Sequence, residues 1–216
     1  MTLQDVRIFC SFADCFNDMN RLQKSYFLQH DVVALARDLL GKYVFTMKEG
    51  QLAGGIIVET EAYRAVNDRA SHAYGGRRTA RNEMMYHEGG IAYVFLCYGI
   101  HNMLNFVTNE AEVPDAVLIR GIAPTHGMEL MQLRTGKPVL PPNAGDGPGR
   151  VGKLLGITKA DNGRSLTGDT IWLEDRGLVI PDNQVLVTPR IGIDYAGDDA
   201  KLPYRFVVHD FKLTTL

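Results

Sequence analysis

Two segments of the chain carry apolar residues at helical spacing. The first has its apolar face formed by Val32, Leu35, Ala36, Leu39 and Leu40. Asp31 precedes this face and Gly41 follows it, and these residue types are typical start and stop signals of a helix. The pattern predicts one core helix at this position and a second helix around Met128–Leu133.

Short apolar and β-branched runs between turn residues predict strands. The runs are Tyr43–Met47, Gly55–Tyr63, Ile91–Leu96, Met103–Thr108, Ala116–Ile122, Thr170–Leu173, Val185–Ile193 and Tyr204–Val208. Glu49 and Gly50 suit a turn between the first two runs, and residues 98–102 separate the third from the fourth, so both pairs are predicted to be hairpins. Strands outnumber helices and lack regular helical crossovers. We therefore expect an α+β fold with a mostly antiparallel sheet and flanking helices.

The chain shows no internal repeat and no linker that would divide it. Residues 1–22 have no clean period and are interpreted as a loosely ordered N-terminal extension, which leaves residues 23–216 as a single mixed domain. The segment from Arg64 to about Asn82 also lacks a regular apolar period. A loop of this length inside a compact domain is commonly functional.

Composition excludes several classes of protein. The chain has 216 residues, of which 45% are hydrophobic and 22% charged, a globular composition that excludes disorder and coiled coils. Its longest apolar runs are far shorter than the roughly 20 residues of a membrane span, so we expect no membrane partner. Asp5, Asp14 and Asp18 flank or interrupt the first apolar stretch, which does not suit a secretory signal.

Cysteine and histidine spacing gives no sign of a metal or a cofactor. The three cysteines lack C-x-x-C spacing, so neither disulfides nor a zinc ribbon is indicated and a reducing compartment is expected. The six histidines contain no i, i+4 pair and no HExxH pattern, so we expect no metal site.

The charge is unevenly distributed, although the whole chain carries only −2. Between residues 64 and 81 five arginines face one aspartate, which gives +4. Arginines and adjacent glycines are typical of a loop that contacts nucleic-acid phosphates, and Arg77, Arg78 and Arg81 are the candidate backbone contacts. The alternative is a solvated basic loop without a partner.

A glycine-rich run at residues 147–153 matches G-x-G-x-x-G and nearly matches a P-loop. Three prolines and no buried strand precede it, and Leu154 stands where a P-loop requires Ser or Thr. We interpret it as a helix start near Arg150 at which Arg150 and Lys153 contact phosphate, and not as a nucleotide-cofactor site.

Two carboxylates and a group of aromatic residues are the candidates for chemistry. Glu59 and Glu61 lie two positions apart on a predicted strand and should project from one face, where mutual repulsion or a cationic partner can tune one of them as a general base. The alternation cannot say which glutamate acts, and two solvated acids are the alternative. The neighbouring aromatics are Tyr63, Tyr93, Phe95 and Tyr98, which either form ordinary core or contact bases.

Several motifs in order resemble the alkyladenine (3-methyladenine) DNA glycosylase family. They are Ile57–Tyr63, Ala70–His72, Gly76–Asn82, Tyr93–Gly99, Leu104–Asn105 and Val117–Arg120, and the similarity runs from about Tyr26 to about Val208. The resemblance implies a monofunctional enzyme that flips out and removes alkylated or deaminated purines from damaged double-stranded DNA. It implies a single domain with a protruding, DNA-inserting β-hairpin, a monomer, and a cytoplasmic, nucleoid-associated location in a prokaryote or a nuclear one in a eukaryote.

The resemblance also implies a role for individual residues. Glu61 matches the general base and Arg120 the arginine that helps hold the attacking water, with Glu59 as their neighbour. The base pocket matches Tyr63, His72, Phe95 and Asn105, and Tyr98 matches the residue inserted into the minor groove. Phe95 stands where the family commonly has Tyr and Ile100 where some members have Met, so a hydroxyl contact at position 95 is lost and the substrate range is open.

Two other function classes compete with this one. A nucleic-acid-binding module without catalysis would use the same arginines and aromatics and leave Glu61 idle. A glycoside hydrolase using Glu59 and Glu61 fails on geometry, because adjacent residues on one face cannot flank a sugar bond from opposite sides. A lyase activity would need an amine nucleophile, which the matched motifs do not offer.

Overall fold

A computed structural model of the protein describes residues 20–209 and residue 211. Within these residues three α-helices occur, α1 (Val32–Asp38), α2 (Met128–Thr135) and α3 (Pro148–Leu155). The strands are β1 (Tyr43–Lys48), β2 (Gln51–Tyr63), β3 (Ala92–Cys97), β4 (His101–Thr108), β5 (Asp115–His126), β6 (Ile171–Glu174), β7 (Val185–Thr188) and β8 (Arg205–Val208). They form one eight-stranded sheet in the order β3-β4-β5-β2-β1-β6, and β8 pairs with both β2 and β7. These strands pair antiparallel, so the predicted α+β class is confirmed.

Helix α1 begins where the sequence predicts. One carboxylate oxygen of Asp31 accepts hydrogen bonds from the backbone N–H groups of Val33 at 3.0 Å and Ala34 at 3.1 Å, which satisfies free donors of the first turn. Gly41 follows with φ 87°, and a Cβ there would lie 2.6 Å from the carbonyl oxygen of Leu178. Glycine is therefore required at position 41 both by the backbone conformation and by the lack of space for a Cβ atom.

The β1–β2 hairpin is confirmed, and β2 is longer than predicted. Glu49 and Gly50 have φ values of 53° and 73°, the left-handed pair that a two-residue hairpin turn requires. Strand β2 begins at Gln51 and not at Gly55, and it includes Gly54. A Cβ on Gly54 would lie 2.3 Å from the Phe45 ring, so the lack of a side chain at this strand position makes room for a core residue.

Strands β3 and β4 pair antiparallel from Ala92 opposite Phe106 to Cys97 opposite His101. The connection between them is residues 98–100, here called the β3–β4 turn, and it is shorter than the predicted residues 98–102. Tyr98 is 90% exposed in this turn. Packing in the core is therefore excluded for Tyr98.

One main core holds the sheet and two helices together. Helix α1 packs on β2 and β5, and α3 packs on β4 and β5. Their buried residues, including Leu35 and Leu154, belong to one hydrophobic cluster with the sheet. A smaller cluster that contains Met85 and Tyr93 lies beside it and supports the residues that follow β2.

One predicted strand is wrong in its second half. The run Val185–Ile193 was predicted as continuous, but β7 ends at Thr188. Pro189 has no N–H to continue the ladder, so the chain leaves the sheet there. The departing segment, residues 189–193, turns toward Glu61 of β2, as the hydrogen bond from the Ile191 N–H to its carboxylate shows.

At the N-terminal side, the end of the predicted extension lies against the sheet. The Leu22 N–H donates to the Leu173 carbonyl at 2.9 Å, next to the bridge between Arg21 and Glu174. Residues 1–19 of that extension lie outside the described residues. Among the residues that are described, no helix is long and apolar enough to cross a membrane, and no three His, Cys, Asp or Glu side chains are grouped as a metal site.

Candidate active site

A cavity of about 570 Å³ opens beside the ends of β2, β3 and β5. Its volume lies in the range of about 300–1,000 Å³ that is usual for small-molecule sites. Eight of the residues singled out from the sequence line it, namely Tyr63, His72, Arg81, Tyr93, Phe95, Tyr98, Asn105 and Arg120. The fold therefore brings together residues that lie up to 57 positions apart in the chain, from Tyr63 to Arg120.

Aromatic rings form one wall of the cavity. The ring centroids of His72 and Phe95 are 4.6 Å apart at an interplanar angle of 71°, and those of Tyr93 and Phe95 are 5.5 Å apart. Tyr93 and Phe95 are alternate residues of β3 and therefore share a face of the strand. Asn105 lies opposite Tyr93 on β4 and donates to its carbonyl at 3.1 Å, which fixes the amide in the wall.

His72 is held as a neutral side chain. Its Nδ1 lies 2.7 Å from the Tyr93 hydroxyl. Burial, together with the positive charges of Arg81 and Arg77, lowers the pKa of His72 to about 4. Burial also raises the pKa of Tyr93, so the phenol keeps its proton. At neutral pH the pair carries no charge, which suits contact with the edge of a heterocyclic base.

The Glu61 carboxylate lies behind Tyr63, whose side chain lines the cavity. Glu61 is 0% exposed. Its Oε2 accepts a hydrogen bond from the Tyr63 hydroxyl at 2.8 Å, and its Oε1 accepts one from the Ile191 N–H at 2.8 Å. Oε2 keeps a second lone pair, because a carboxylate oxygen accepts two hydrogen bonds.

Burial raises the pKa of Glu61, because the charged form is poorly solvated there. The Arg120 guanidinium, with Nε 3.4 Å from Oε1, opposes this effect, and so do the donors from Ile191 and Tyr63. The negative charge of Glu59 raises the pKa further. A carboxylate with a raised pKa is a stronger base than one in water, which is the property that a general base requires.

Glu59 and Glu61 meet the same guanidinium. Arg120 Nε donates to Glu59 Oε1 at 2.9 Å and lies 3.4 Å from Glu61 Oε1. The pairing of β2 with β5 is irregular at this point, since Glu59 lies opposite Gly121 and Thr60 opposite Ile119, which leaves Arg120 as the extra residue of a bulge. Bulges of this kind redirect a side chain, and here the redirected side chain reaches both acids.

Sequence reasoning missed the residues that approach from the C-terminal part of the chain. Arg205 Nε donates to Glu59 Oε1 at 2.7 Å, and the Ile191 N–H donates to Glu61. Arg190 is buried, pairs with Asp68, and places its guanidinium 4.8 Å from the Tyr63 ring centroid. No periodicity or spacing could link these residues to a strand 127 to 146 positions earlier.

The predicted backbone-contacting cations differ in their surroundings. Arg78 is paired with Glu83 at 2.6 Å and Glu112 at 2.8 Å, so two carboxylates neutralise it. The Arg81 guanidinium lies 5.2 Å from the Phe95 ring centroid and lines the cavity. Arg77 and Arg81 also border a second, smaller cavity of about 300 Å³ beside His72.

Arg150 and Lys153 are exposed on α3. The predicted helix start at this glycine-rich run is confirmed, with Gly147 before the helix and Pro148 as its first residue. Pro148 lines the main cavity, so the N-terminal end of α3 borders the site.

Comparison with known proteins adds to this geometry. The family model described as "Methylpurine-DNA glycosylase (MPG)" matches residues 26–212. The chain belongs to this family. The membership identifies it as a DNA glycosylase of the methylpurine class, and hence a protein whose substrate is DNA.

Curated bacterial relatives of this methylpurine-DNA glycosylase carry the name "Putative 3-methyladenine DNA glycosylase". The protein of Chlamydia abortus is 44% identical over 189 residues, which cover 87% of this chain and 98% of the relative. The protein of Clostridium novyi is 38% identical over 201 residues, covering 90% and 98%. The protein of Bacillus licheniformis is 42% identical over 181 residues, covering 83% and 89%.

The match to the methylpurine-DNA glycosylase family contains the whole candidate site. Residues 26–212 include the cavity wall, both glutamates, and the C-terminal residues Ile191 and Arg205 that sequence reasoning missed. The family expectation stated above is therefore confirmed at the level of the family and its DNA substrate.

Proposed function

We propose that the protein is a monofunctional DNA glycosylase that flips alkylated or deaminated purines out of duplex DNA and excises them by attack of water at C1′. Substrates of the 3-methyladenine, 7-methylguanine and hypoxanthine type would be removed, which starts base excision repair. The observation that carries this proposal is the buried Glu61, which shares Arg120 with Glu59 behind a cavity walled by aromatic rings.

Base flipping is required because the glycosidic bond of a stacked base cannot be reached inside the duplex. The cavity offers the extruded base a space of about 570 Å³. Tyr98, 90% exposed in the β3–β4 turn, is positioned to enter the minor groove and fill the gap that the base leaves. Both features support extrusion of a nucleotide into the protein.

The wall chemistry suits a purine. Phe95 and Tyr63 present aromatic surface to the cavity, and a cation–π contact with a positively charged alkylpurine contributes on the order of 0.5–2 kcal/mol when water is excluded. Neutral His72 offers a ring nitrogen to a base edge. Asn105 forms the wall next to Tyr93, and the missing hydroxyl at Phe95 leaves one polar contact fewer.

The proposed step is a displacement by water. Glu61 Oε2 takes a proton from a water molecule while the oxygen of that water forms a bond to C1′ and the bond from C1′ to the base nitrogen breaks, with its electron pair leaving on the base. The carboxylate offsets the positive charge that develops on the sugar, and Arg120 helps to orient the water. Among the described residues no lysine lines the cavity, and the proposal contains no lyase step, which would need an amine nucleophile.

Affinity for the duplex is assigned to the exposed cations around the cavity. These are Arg77, Arg78, Arg81, Arg150 and Lys153. We expect one protein chain to act alone on damaged double-stranded DNA. Since the relatives above are bacterial, the corresponding location is the cytoplasm, in association with the nucleoid.

The proposal is tested with duplexes that each contain one lesion. The purified protein is incubated with duplexes that contain 3-methyladenine, 7-methylguanine, hypoxanthine or ethenoadenine. Abasic sites are scored as strand breaks that appear on alkali treatment, and strand breaks are also measured before alkali. Base release from at least one lesion, with strand breaks only after alkali, is the expected result. Tight lesion binding without abasic sites would identify the non-catalytic binding module instead, and strand breaks without alkali would identify a lyase.

A further inference from the structure

The two glutamates are held in a group of four charged side chains. Glu59 Oε1 accepts hydrogen bonds from Arg120 Nε at 2.9 Å and from Arg205 Nε at 2.7 Å. Arg120 Nε also lies 3.4 Å from Glu61 Oε1. The side chains of Arg120, Glu59 and Arg205 are 12%, 12% and 19% exposed, and that of Glu61 is 0% exposed. Two carboxylates and two guanidiniums balance to zero charge in this mostly buried group.

Arg205 is fixed by its strand as well as by its ion pair. It lies directly opposite Glu61 in the pairing of β8 with β2, and its Nη1 donates to Thr188 Oγ1 at 3.0 Å. Its guanidinium therefore reaches diagonally across the strand pair to Glu59. This placement lets Arg205 satisfy Glu59 while it leaves the carboxylate of Glu61 to other donors.

We propose that Arg205 is a positioning residue for the reaction: by sharing the charge of Glu59 with Arg120, it allows the Arg120 guanidinium to act also on Glu61 and on the attacking water. The inference rests on the proposed role of Glu61 as the general base. Without Arg205, the group has two carboxylates and one guanidinium, and Arg120 is the only guanidinium of the group that can pair with Glu59.

Removal of Arg205 therefore has a definite consequence for the ionisation of Glu61. The charged and titratable groups around Glu61 are Glu59 and Tyr63 on β2, Arg120 on β5, Arg205 on β8, and Arg190 and Tyr195 after β7. In Arg205→Gln one positive charge of this set is lost, and Arg120 is left to pair with both Glu59 and Glu61. Both changes disfavour the ionised form of Glu61, so its pKa rises.

The experiment measures single-turnover base release against pH. Arg205→Gln is expected to move the acidic limb of the profile up by roughly one pH unit, which lowers the rate about tenfold below that limb. Glu59→Gln/Arg205→Gln should return the limb toward its wild-type position, because the excess negative charge of the group is gone. In Arg205→Lys, which keeps the charge, the acidic limb should lie between those of the wild type and Arg205→Gln. Lys201→Gln removes an exposed charge and serves as the control, since the Lys201 side chain is 81% exposed.

Titration of the Glu61 carboxyl by carbon NMR, assigned with Glu61→Gln, separates this inference from the proposed function. A midpoint that rises in Arg205→Gln and falls again in the double variant supports the inference, whether or not the wild type releases bases. Absence of base release by the wild type would contradict the proposed function alone. Equal rate losses at every pH with an unchanged Glu61 midpoint would overturn the inference and make Arg205 a purely structural residue.

Discussion

At His72, burial and two neighbouring arginines act on one imidazole in the same direction. The pKa of His72 in the folded protein is about 4, against an ordinary value of 6.5. The unfolded chain therefore binds more protons than the folded one between these two pH values. In that window stability rises with pH, and the contribution unfavourable to folding grows as pH falls from 6.5 toward 4.

His72→Asn is expected to remove this pH dependence. Relative to the variant, the wild type should lose up to about 1.4 kcal/mol of unfolding free energy per pH unit between pH 6.5 and 4. Urea unfolding at a series of pH values measures the difference. His87→Asn, at an exposed histidine, is the control. Parallel stability–pH curves for the wild type and His72→Asn would show that His72 is not held neutral by the fold.

Tyr63 connects the cavity with Glu61, since its hydroxyl donates to Oε2 at 2.8 Å while its side chain lines the cavity. This hydrogen bond favours the charged carboxylate and lowers the pKa of Glu61. Tyr63→Phe keeps the aromatic face and loses the donor. We expect the pKa of Glu61 to rise and the acidic limb of the rate profile to move up by roughly one pH unit.

Rate–pH profiles of Tyr63→Phe and Tyr26→Phe check this expectation. Tyr26 donates its hydroxyl to Asp38, away from the glutamates, so its variant controls for the loss of a tyrosine hydroxyl. An acidic limb that stays in place in Tyr63→Phe would mean that the hydroxyl does not act on the base.

At the scale of single residues, only part of the site could be predicted from the sequence. Alternation along β2 correctly placed Glu59 and Glu61 on one side, where both meet Arg120. It could not distinguish them, because the difference comes from Tyr63 and Ile191, which donate to Glu61, and from Arg205, which donates to Glu59. Two of these three partners lie in the C-terminal quarter of the chain.

At the scale of elements, the β3–β4 turn presents an aromatic side chain to solvent without support from the core. Tyr98 is 90% exposed and has φ 49°, a conformation that is uncommon for a residue other than glycine. Tyr98→Ala should therefore leave the melting temperature unchanged. If Tyr98 fills the hole in the duplex, its replacement should destabilise the flipped state relative to the stacked state by roughly 1–3 kcal/mol.

Excision from paired and mismatched duplexes tests the role of Tyr98. A poorly paired lesion costs less to extrude, so its removal should be less affected in Tyr98→Ala than removal of a stably paired one. Tyr98→Phe, which keeps the ring, should behave like the wild type. Equal losses on both duplexes would contradict the wedge role.

Elements with local signals were predictable, and those set by distant contacts were not. Asp31 and Gly41 define α1 through its own backbone, and Glu49–Gly50 define the first hairpin. The apolar run after Val185 does not remain in the sheet, because Pro189 interrupts the ladder and the Ile191 N–H instead donates to the Glu61 carboxylate. That outcome depends on a partner 130 residues away and leaves no periodicity to detect.

At the scale of the whole molecule, the charge pattern decides how the protein meets a polyanion. The chain carries −2 overall, while the segment from residue 64 to residue 81 carries five arginines and one aspartate. A count of charges along the sequence does not distinguish Arg77 from Arg78. The structure separates them, since Arg78 lies between Glu83 and Glu112.

Arg77→Gln and Arg78→Gln form a matched pair for salt dependence. Removing Arg77 should lower the slope of log affinity against log salt by about one unit, because one phosphate contact is lost. Removing Arg78 should lower it less, because its charge is already compensated by two carboxylates. Fluorescence anisotropy with a lesion duplex at several salt concentrations measures both slopes. A wild-type slope near zero would contradict phosphate-dominated binding.

In the proposed reaction Glu61 is the base that activates water for base excision. Single-turnover release from a lesion duplex, measured together with duplex affinity for Glu61→Gln and Glu59→Gln, tests it most directly. We expect Glu61→Gln to bind the lesion like the wild type and to lose at least about 100-fold in rate, whereas Glu59→Gln should lose much less. Substantial base release by Glu61→Gln, or a larger loss in Glu59→Gln, would contradict the assignment.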